Sequence, residues 1–193
     1  MIQIADRMQT ITRNIILNQI SPTEKRWFAV YTKYKCEKYV AEQLFKKNIE
    51  AYVPLISKSK RYTRKIKTYE VPLINCYVFI CITKDQYVPV LETEYVMKFL
   101  KQGKDLLAIP SAEIDILKRV AGDIEEAYES ENVFFEGETV EVISGHLTGM
   151  RGKIITRSGK HSFVIDLETI GYQLRINIDI RLLRPLNQVY KIS

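Results

Sequence analysis

Glycine is scarce in this chain, and most of it lies in one stretch. Only eight glycines occur in 193 residues, and five of them lie between Gly137 and Gly159. A phosphate-binding P-loop would need Ser or Thr after its Gly-Lys pair and a strand before and a helix after the loop. Here Lys153 is followed by Ile154, and the residues on both sides alternate as in strands. The glycines therefore indicate tight turns between short strands rather than a nucleotide site.

Cysteine and histidine are too few and too scattered for most metal or catalytic sites. The three cysteines, Cys36, Cys76 and Cys81, form no C-x-x-C pair, which favours reduced thiols over disulfides or zinc. The two histidines, His146 and His161, stand in no metal-ligand or triad pattern with a cysteine. We therefore expect a protein that is not an enzyme and that uses no metal and no cofactor.

Long apolar runs are absent as well. No stretch reaches the roughly 18 consecutive apolar residues of a membrane helix. The segment ITRNIILNQI near the start is too short and too polar for the core of a signal peptide. Hydrophobic residues still make up 46% of the chain, which suffices for packed cores. The sequence therefore predicts a soluble globular protein of the cytoplasm that has no contact with a membrane.

Positive charge is concentrated in one region. Residues 25–110 carry 17 basic and 8 acidic side chains, within a net charge of +6 for the whole chain. The densest part is SKSKRYTRKIKTYE, in which Glu70 is the only acid. Its basic residues are Lys58, Lys60, Arg61, Arg64, Lys65 and Lys67. This basic insert is either a solvated loop or a contact for nucleic acid, with Tyr62 and Tyr69 as stacking surfaces.

Composition divides the chain into two domains. Residues 121–132 are acidic and have little to bury, which predicts an exposed linker or a frayed helix end. Residues 133–186 contain five short apolar segments with turn residues between them, at about 139–143, 152–157, 161–167, 172–178 and 180–184. Five strands in so short a length predict a small SH3-like barrel, followed by a tail at 187–193.

The first domain, at residues 25–120, mixes strands and helices. WFAVYT and CYVFICI are apolar at nearly every position, as in the central strands of a sheet. The segment between them is an amphipathic helix whose apolar stripe includes Leu44 and Phe45, and a second helix begins near Ser111. These patterns predict an α+β fold with one mainly antiparallel sheet and helices largely on one side. Residues 1–24 are expected to be a weakly attached, flexible extension.

These motifs, in this order, resemble the NusG-type transcription elongation factors. WFAVYTKYKCEKYVAEQLFKKNIEAYVPLI, VPLINCYVFI and VMKFLKQGKDLLAIPSAEIDIL are similar to the N-terminal domain of that family. FFEGETVEVISGHLTGMRGKI is similar to its second domain, the KOW domain. The basic insert and the N-terminal extension look most like the specialised UpxY-type paralogues, which regulate capsule and other polysaccharide operons.

The resemblance implies a factor that binds RNA polymerase at its clamp helices and suppresses pausing and termination. The residues at the matching positions are Tyr31, Tyr77, Phe79 and Phe99. Tyr31, Tyr77 and Phe79 have the parity that puts side chains on one face of a sheet, so they either form a partner surface or fill the core. A ribosome- or RNA-binding KOW protein is the alternative function, and a nucleic-acid enzyme is a third.

The resemblance also implies a contact with non-template DNA through Lys33, Gln43 and Lys46. Gln43 departs from the basic residues of a specialised member, which puts base readout there in doubt. Asn75-Cys76 replaces the usual proline-glycine before the YVF strand, and DQYVPVLETEYV lacks the histidine and paired threonines of a second polymerase contact.

The second domain of the family recruits a small-ribosomal-subunit protein or a termination factor. Leu147 and Met150, in the loop SGHLTGM, are the candidates for that partner surface. The alternative is that Leu147 folds inward as part of the core. We expect the protein to be a monomer.

Overall fold

The protein was analysed as a computed structural model, which describes residues 18–63, 65–121, 124–129, 137–145, 147–157, 160–176 and 178–186. The first domain contains these elements in chain order: β1 (Arg26–Thr32), α1 (Glu37–Lys46), β2 (Glu50–Tyr52), β3 (Leu55–Tyr62), β4 (Lys65–Pro72), β5 (Tyr77–Ile82), a 3-10 turn (Lys84–Gln86), α2 (Tyr87–Leu91), β6 (Val96–Phe99), β7 (Lys101–Gln102), β8 (Asp105–Leu106) and α3 (Ser111–Val120). The mixed α+β class is confirmed.

The main sheet of the first domain has the order β2-β5-β1-β6 and is antiparallel throughout. The central positions predicted for the apolar strands β1 and β5 are confirmed. Alternate residues of a strand point to opposite faces of its sheet. Phe28, Val30 and Val78 lie on one face and pack with Val40 and other apolar residues of α1 and α2. Both helices therefore cover the same face of the sheet.

Helices on one side only would leave the opposite face of the sheet open, but here α3 covers part of that face. The apolar residues of α3, Ile114, Leu117 and Val120, recur three positions apart and are fully buried. They belong to the same buried cluster as Ala29 and Phe79 of this face. Two of the three helices thus share one face, in line with helices largely on one side, and α3 lies on the second face.

Residues 18–21 are attached to the first domain by hydrogen bonds. The backbone N–H of Gln19 donates to the carbonyl oxygen of Leu106 (3.0 Å), and its side-chain oxygen accepts from the backbone N–H of Ala108 (2.7 Å). The backbone N–H of Lys84 donates to the carbonyl oxygen of Ser21 (2.8 Å). This end of the predicted extension is therefore bound to the domain, and residues 1–17 lie outside the described part of the chain.

The basic insert forms a two-stranded antiparallel ribbon, β3–β4. Its register runs without a break from Leu55↔Pro72 at the root to Tyr62↔Lys65 at the tip. Ile56 is buried at the root, whereas residues 57–62 and 65–70 are exposed. The insert therefore extends from the domain as a regular hairpin, and its predicted tip residue Arg64 lies outside the described residues.

The second domain is built on one six-stranded antiparallel sheet. Its elements are β9 (Ile124–Glu129), β10 (Glu138–Val142), β11 (Arg151–Arg157), β12 (Lys160–Leu167), β13 (Tyr172–Ile176), a 3-10 turn (Ile180–Leu182) and β14 (Leu183–Pro185). The strand order is β14-β10-β11-β12-β13-β9. Among the described residues the edge strands β14 and β9 do not pair, so the sheet is not closed as a barrel.

The predicted acidic linker contributes a strand to this sheet. Residues 124–129 pair with β13 in the register Tyr172↔Glu129 to Ile176↔Ile124. An exposed linker or a frayed helix end was expected there, and the structure replaces both with an edge strand. Hydrogen bonds to β13 pair the backbone of residues 124–129 along one side. Composition alone could not reveal this pairing.

The clustered glycines serve turns, as the sequence predicts, and Gly152 in addition serves close packing. Gly145 and Gly149 have φ of 86° and 82° in the loop between β10 and β11, a conformation that L side chains rarely adopt. Gly152 has no room for a Cβ, which would collide with the carbonyl oxygen of Val164 on β12 and with the ring of Phe163.

Candidate polymerase and nucleic-acid surfaces

Two tyrosines form an aromatic pair on the second face of the first domain. Tyr31 and Tyr77 are cross-strand partners in β1 and β5, and their rings meet edge to face at 5.4 Å. Tyr31 keeps 37% of its surface exposed, and the ammonium of Lys98 lies 5.8 Å from its ring centre. Such a pair can offer both apolar area and hydroxyl groups to a protein partner.

The other two predicted polymerase contacts do not lie on this exposed surface. Phe79 shares the face of Tyr31 and Tyr77 but is fully buried in the core. Phe99 pairs with Val30, so it points to the opposite face, where it is buried and stacks on Tyr87 at 4.6 Å. The structure therefore brings together Tyr31, Tyr77 and Phe79 and separates Phe99 from them.

The second domain packs against the aromatic pair. The ring of Tyr172 in β13 meets that of Tyr77 edge to face at 6.1 Å. The carboxylate of Glu113 in α3 accepts two hydrogen bonds from Thr169, from the backbone N–H at 3.1 Å and from the hydroxyl at 2.7 Å. Arg119 donates to the carbonyl oxygen of Thr148 (2.8 Å). The contact between the domains thus combines apolar packing with polar anchors on α3.

The predicted partner residues of the second domain lie inside rather than outside. Leu147 and Met150 are 3% and 5% exposed and belong to the buried cluster that includes residues of α3. Both were candidates to project from the loop as apolar contacts, with an inward Leu147 as the alternative, and here the loop turns both inward. His146 between them lies outside the described residues, and the side chain of His161 is not described either.

Lys33 lies among tyrosines at the carboxyl end of β1. Its ammonium is 5.7 Å from the ring centre of Tyr95, and its backbone N–H donates to the carbonyl oxygen of that residue (3.0 Å). The hydroxyl of Tyr39 donates to the carboxylate of Glu94 at 2.8 Å. This hydrogen bond, with one from Tyr95, lowers the pKa of Glu94, and the charged carboxylate in turn raises the pKa of both tyrosines.

Three backbone positions near Lys33 adopt positive φ without being glycine. Lys35, Cys76 and Tyr95 have φ of 64°, 65° and 68°. Cys76 occupies the place where the NusG-type proteins usually have glycine, and its backbone N–H donates to the buried carboxylate of Glu37 (2.7 Å). The turn before β5 therefore keeps a glycine-like conformation despite the substitution, with Glu37 holding it. Strained backbone of this kind is concentrated at functional sites in proteins.

The exposed side of α1 carries the remaining predicted DNA contacts. Gln43 is half-buried, and Lys46 is exposed and forms an ion pair with Glu42 (3.0 Å). Phe45 was expected on the apolar stripe of the helix but is 76% exposed. The sequence reasoning missed four exposed aromatic residues as possible contacts: Tyr34, Tyr39, Phe45 and Tyr95. Tyr95 lies beside Lys33, and Phe45 precedes Lys46 in α1. The alternation of Lys and Tyr over residues 33–35 was the available signal.

The remaining basic candidates, Lys58, Lys60, Arg61, Lys65 and Lys67, are exposed on the β3–β4 ribbon. No group of three or more potential metal ligands comes together within the described ranges. No helix of the described residues has the length and apolar character needed to cross a membrane.

The fold is mixed α+β: an antiparallel sheet flanked by helices is followed along the chain by a six-stranded antiparallel sheet. Residues 25–118 match the NusG family model, described as "Transcription termination factor nusG". The first domain is therefore a NusG family domain. No curated protein matches the chain.

A solved structure of another protein has a similar fold. The structure described as "Domain interaction in Thermotoga maritima NusG" has a TM-score of 0.54 at 20% identity, covering 86% of this chain and 99% of that chain. Two conformations of the MjSpt4:Spt5 complex have TM-scores of 0.29 and 0.27 at 18% identity, each covering 83% of this chain and 96% or 97% of the other. The similarity to the Thermotoga maritima protein is one of fold.

Proposed function

We propose that this chain is a transcription factor that binds RNA polymerase through its first domain and suppresses pausing and termination. The observation that carries the proposal is the NusG family match over residues 25–118. The basic ribbon and the N-terminal extension favour a specialised, UpxY-type role at polysaccharide operons over a general one.

The polymerase-binding surface in this proposal is the aromatic pair Tyr31 and Tyr77. Both rings lie on the sheet face that α3 leaves partly uncovered, and Lys98 beside Tyr31 adds a positive charge. Aromatic residues supply much of the binding energy of protein interfaces when they enter a pocket on the partner. The clamp helices of the polymerase would supply that pocket. Phe79 supports the surface from beneath, and Phe99 contributes only to the core.

The second domain competes with the polymerase for this surface. Tyr172 covers one side of Tyr77, so a partner that surrounds the Tyr77 ring has to displace it. Displacement would also give a small-ribosomal-subunit protein or a termination factor access to the loop with Leu147 and Met150. We propose that these two residues, in an SH3-like KOW domain, bind such a partner once the domains separate.

Non-template DNA is the second ligand of the proposed factor. Lys33, Gln43 and Lys46 would contact it on the side of α1, where rigid elements can aim side chains at bases. The exposed rings of Tyr39 and Tyr95 lie beside Lys33 and could stack on unpaired bases.

A pull-down from bacterial extract with the full chain as bait tests the function. Recovery of RNA polymerase is expected. Stable recovery of a ribosomal subunit without polymerase would reject the proposal in favour of the ribosome- or RNA-binding alternative. In a reconstituted transcription reaction, the full chain should increase readthrough of a terminator, and Tyr77→Ala should reduce that increase.

A further inference from the structure

The β3–β4 ribbon has two faces of different chemistry. Directly paired residues of an antiparallel ribbon share a face, and successive residues alternate between faces. One face carries six exposed long side chains in three cross-strand pairs: Lys58 with Tyr69, Lys60 with Lys67, and Tyr62 with Lys65. We name these six residues the lysine–tyrosine face.

The opposite face holds the only acidic residue of the ribbon. It pairs Ser57 with Glu70, Ser59 with Thr68, and Arg61 with Ile66. Lys38 of α1 engages Glu70, donating to its carbonyl oxygen at 3.0 Å with its carboxylate at 3.6 Å. The lysine–tyrosine face therefore has four positive charges and no acid of its own. A solvated hairpin has no need to separate charge in this way.

The lysine–tyrosine face contains one unfavourable pair, although the ammonium of Lys60 also lies over the ring of Tyr62, 5.5 Å from its centre. Lys60 lies directly opposite Lys67, and like charges in such a pair are destabilising. Tyr62 and Tyr69 at opposite ends of the face are 47% and 41% exposed. An anion bound across the face would relieve the repulsion between the lysines, and flat apolar groups would cover the rings.

We propose that the lysine–tyrosine face binds single-stranded nucleic acid, with phosphates at the lysines and bases stacked on Tyr62 and Tyr69. The pairs follow one another at about 6.8 Å along the ribbon, so the ligand has to be an extended chain with regularly spaced charges. Rings stack well only on bases that are unpaired, which favours a single strand over a duplex.

The root of the ribbon keeps this face in a fixed relation to the first domain. Ile56 and Val71 form the next pair on the same face, and both pack with the buried cluster that contains Phe79. This inference rests on the proposed function for its setting, since the strand would be one exposed near the polymerase. It names the ligand class of the ribbon and assigns it to one face, which the total charge of the insert does not do.

The test measures binding of labelled single-stranded DNA and RNA oligonucleotides to the full chain by fluorescence anisotropy, without polymerase. Lys60→Ser and Arg61→Ser form a matched pair, because the two residues are neighbours with equal charge on opposite faces. Loss of one phosphate contact lowers the log–log salt slope by about 0.7 for single strands. We expect this change in Lys60→Ser and the wild-type slope in Arg61→Ser. Equal changes in both variants would overturn the assignment to one face.

Two variants of Tyr62 test whether bases stack on the aromatic rings of this face. Tyr62→Ser should weaken binding about fivefold or more, whereas Tyr62→Phe, which keeps the ring, should bind as the wild type does. Circular dichroism checks that each variant folds. Wild-type affinity in Tyr62→Ser, or tighter binding to a duplex of the same sequence, would reject a single-strand site. If the oligonucleotides bind as expected but polymerase does not, the proposed function fails and this inference stands.

Discussion

Replacing Glu113 with alanine should weaken the contact between the two domains. The Glu113 carboxylate accepts both the N–H and the hydroxyl of Thr169, so one substitution removes two hydrogen bonds across the domain contact. The change is confined to the surface of α3, because Ile114 and Leu117 form its buried side. We therefore expect the first domain to remain folded in Glu113→Ala.

The size of the effect follows from the two oxygens of the carboxylate. A hydrogen bond to a charged group contributes about 1.5 kcal/mol or more, so two contribute about 3 kcal/mol. The second oxygen of Glu113 is buried without a hydrogen-bond partner among the described residues, and its removal returns about 1–2 kcal/mol. The net loss of about 1–2 kcal/mol lowers the ratio of docked to separated molecules about fivefold to thirtyfold.

Small-angle X-ray scattering of the full chain measures the separation, and polymerase affinity measures its consequence. The radius of gyration should increase in Glu113→Ala, and polymerase binding should become tighter as more molecules expose Tyr77. Asp115→Ala is the matched control, since Asp115 is an exposed carboxylate on the same helix. An unchanged scattering curve together with unchanged polymerase affinity would show that the Thr169 contact does not hold the domains together. Separation without a gain in affinity would show that docking does not block the polymerase surface.

Other expectations concern the aromatic pair, Gly152 in β11, and the hydrogen bond between Tyr39 and Glu94. Tyr77→Ala, measured in the Glu113→Ala background so that docking does not interfere, should weaken polymerase binding by about 2 kcal/mol, or roughly thirtyfold; unchanged affinity would make the ring a bystander. Gly152→Ala forces a methyl group onto a carbonyl oxygen of β12 and should destabilise the second domain by about 3 kcal/mol in chemical denaturation. Tyr39→Phe removes the main hydrogen bond that lowers the pKa of Glu94, so an NMR titration should find that pKa raised. The stabilisation from ionised Glu94 is present above its ordinary pKa and is lost as the pH falls through the lowered one, so in the variant this loss should be smaller and should be complete at a higher pH.

The sequence determined most of the local structure because its periodicity is local. The apolar runs of β1 and β5, the helical stripe of α1 and the glycines between β10 and β11 each reveal an element from its own residues. Parity also assigned Tyr31, Tyr77 and Phe79 to one face correctly, since alternation is a property of any strand. The distribution of charge identified the basic insert, and the NusG-like order of motifs was recognised as a resemblance to that family rather than from periodicity.

Only the tertiary structure decided what lies against each of these faces. A pattern shows which side of an element a residue takes, but contacts distant in sequence decide whether that side is covered. Phe79 is buried and Tyr31 is exposed on one face, because α3 and the second domain cover that face only in part. Leu147 is buried in a cluster that also contains residues of α3, which is likewise a contact distant in sequence. The division of the ribbon into a lysine–tyrosine face and an opposite face depends on the pairing register, which a one-residue slip would have reversed for a whole strand.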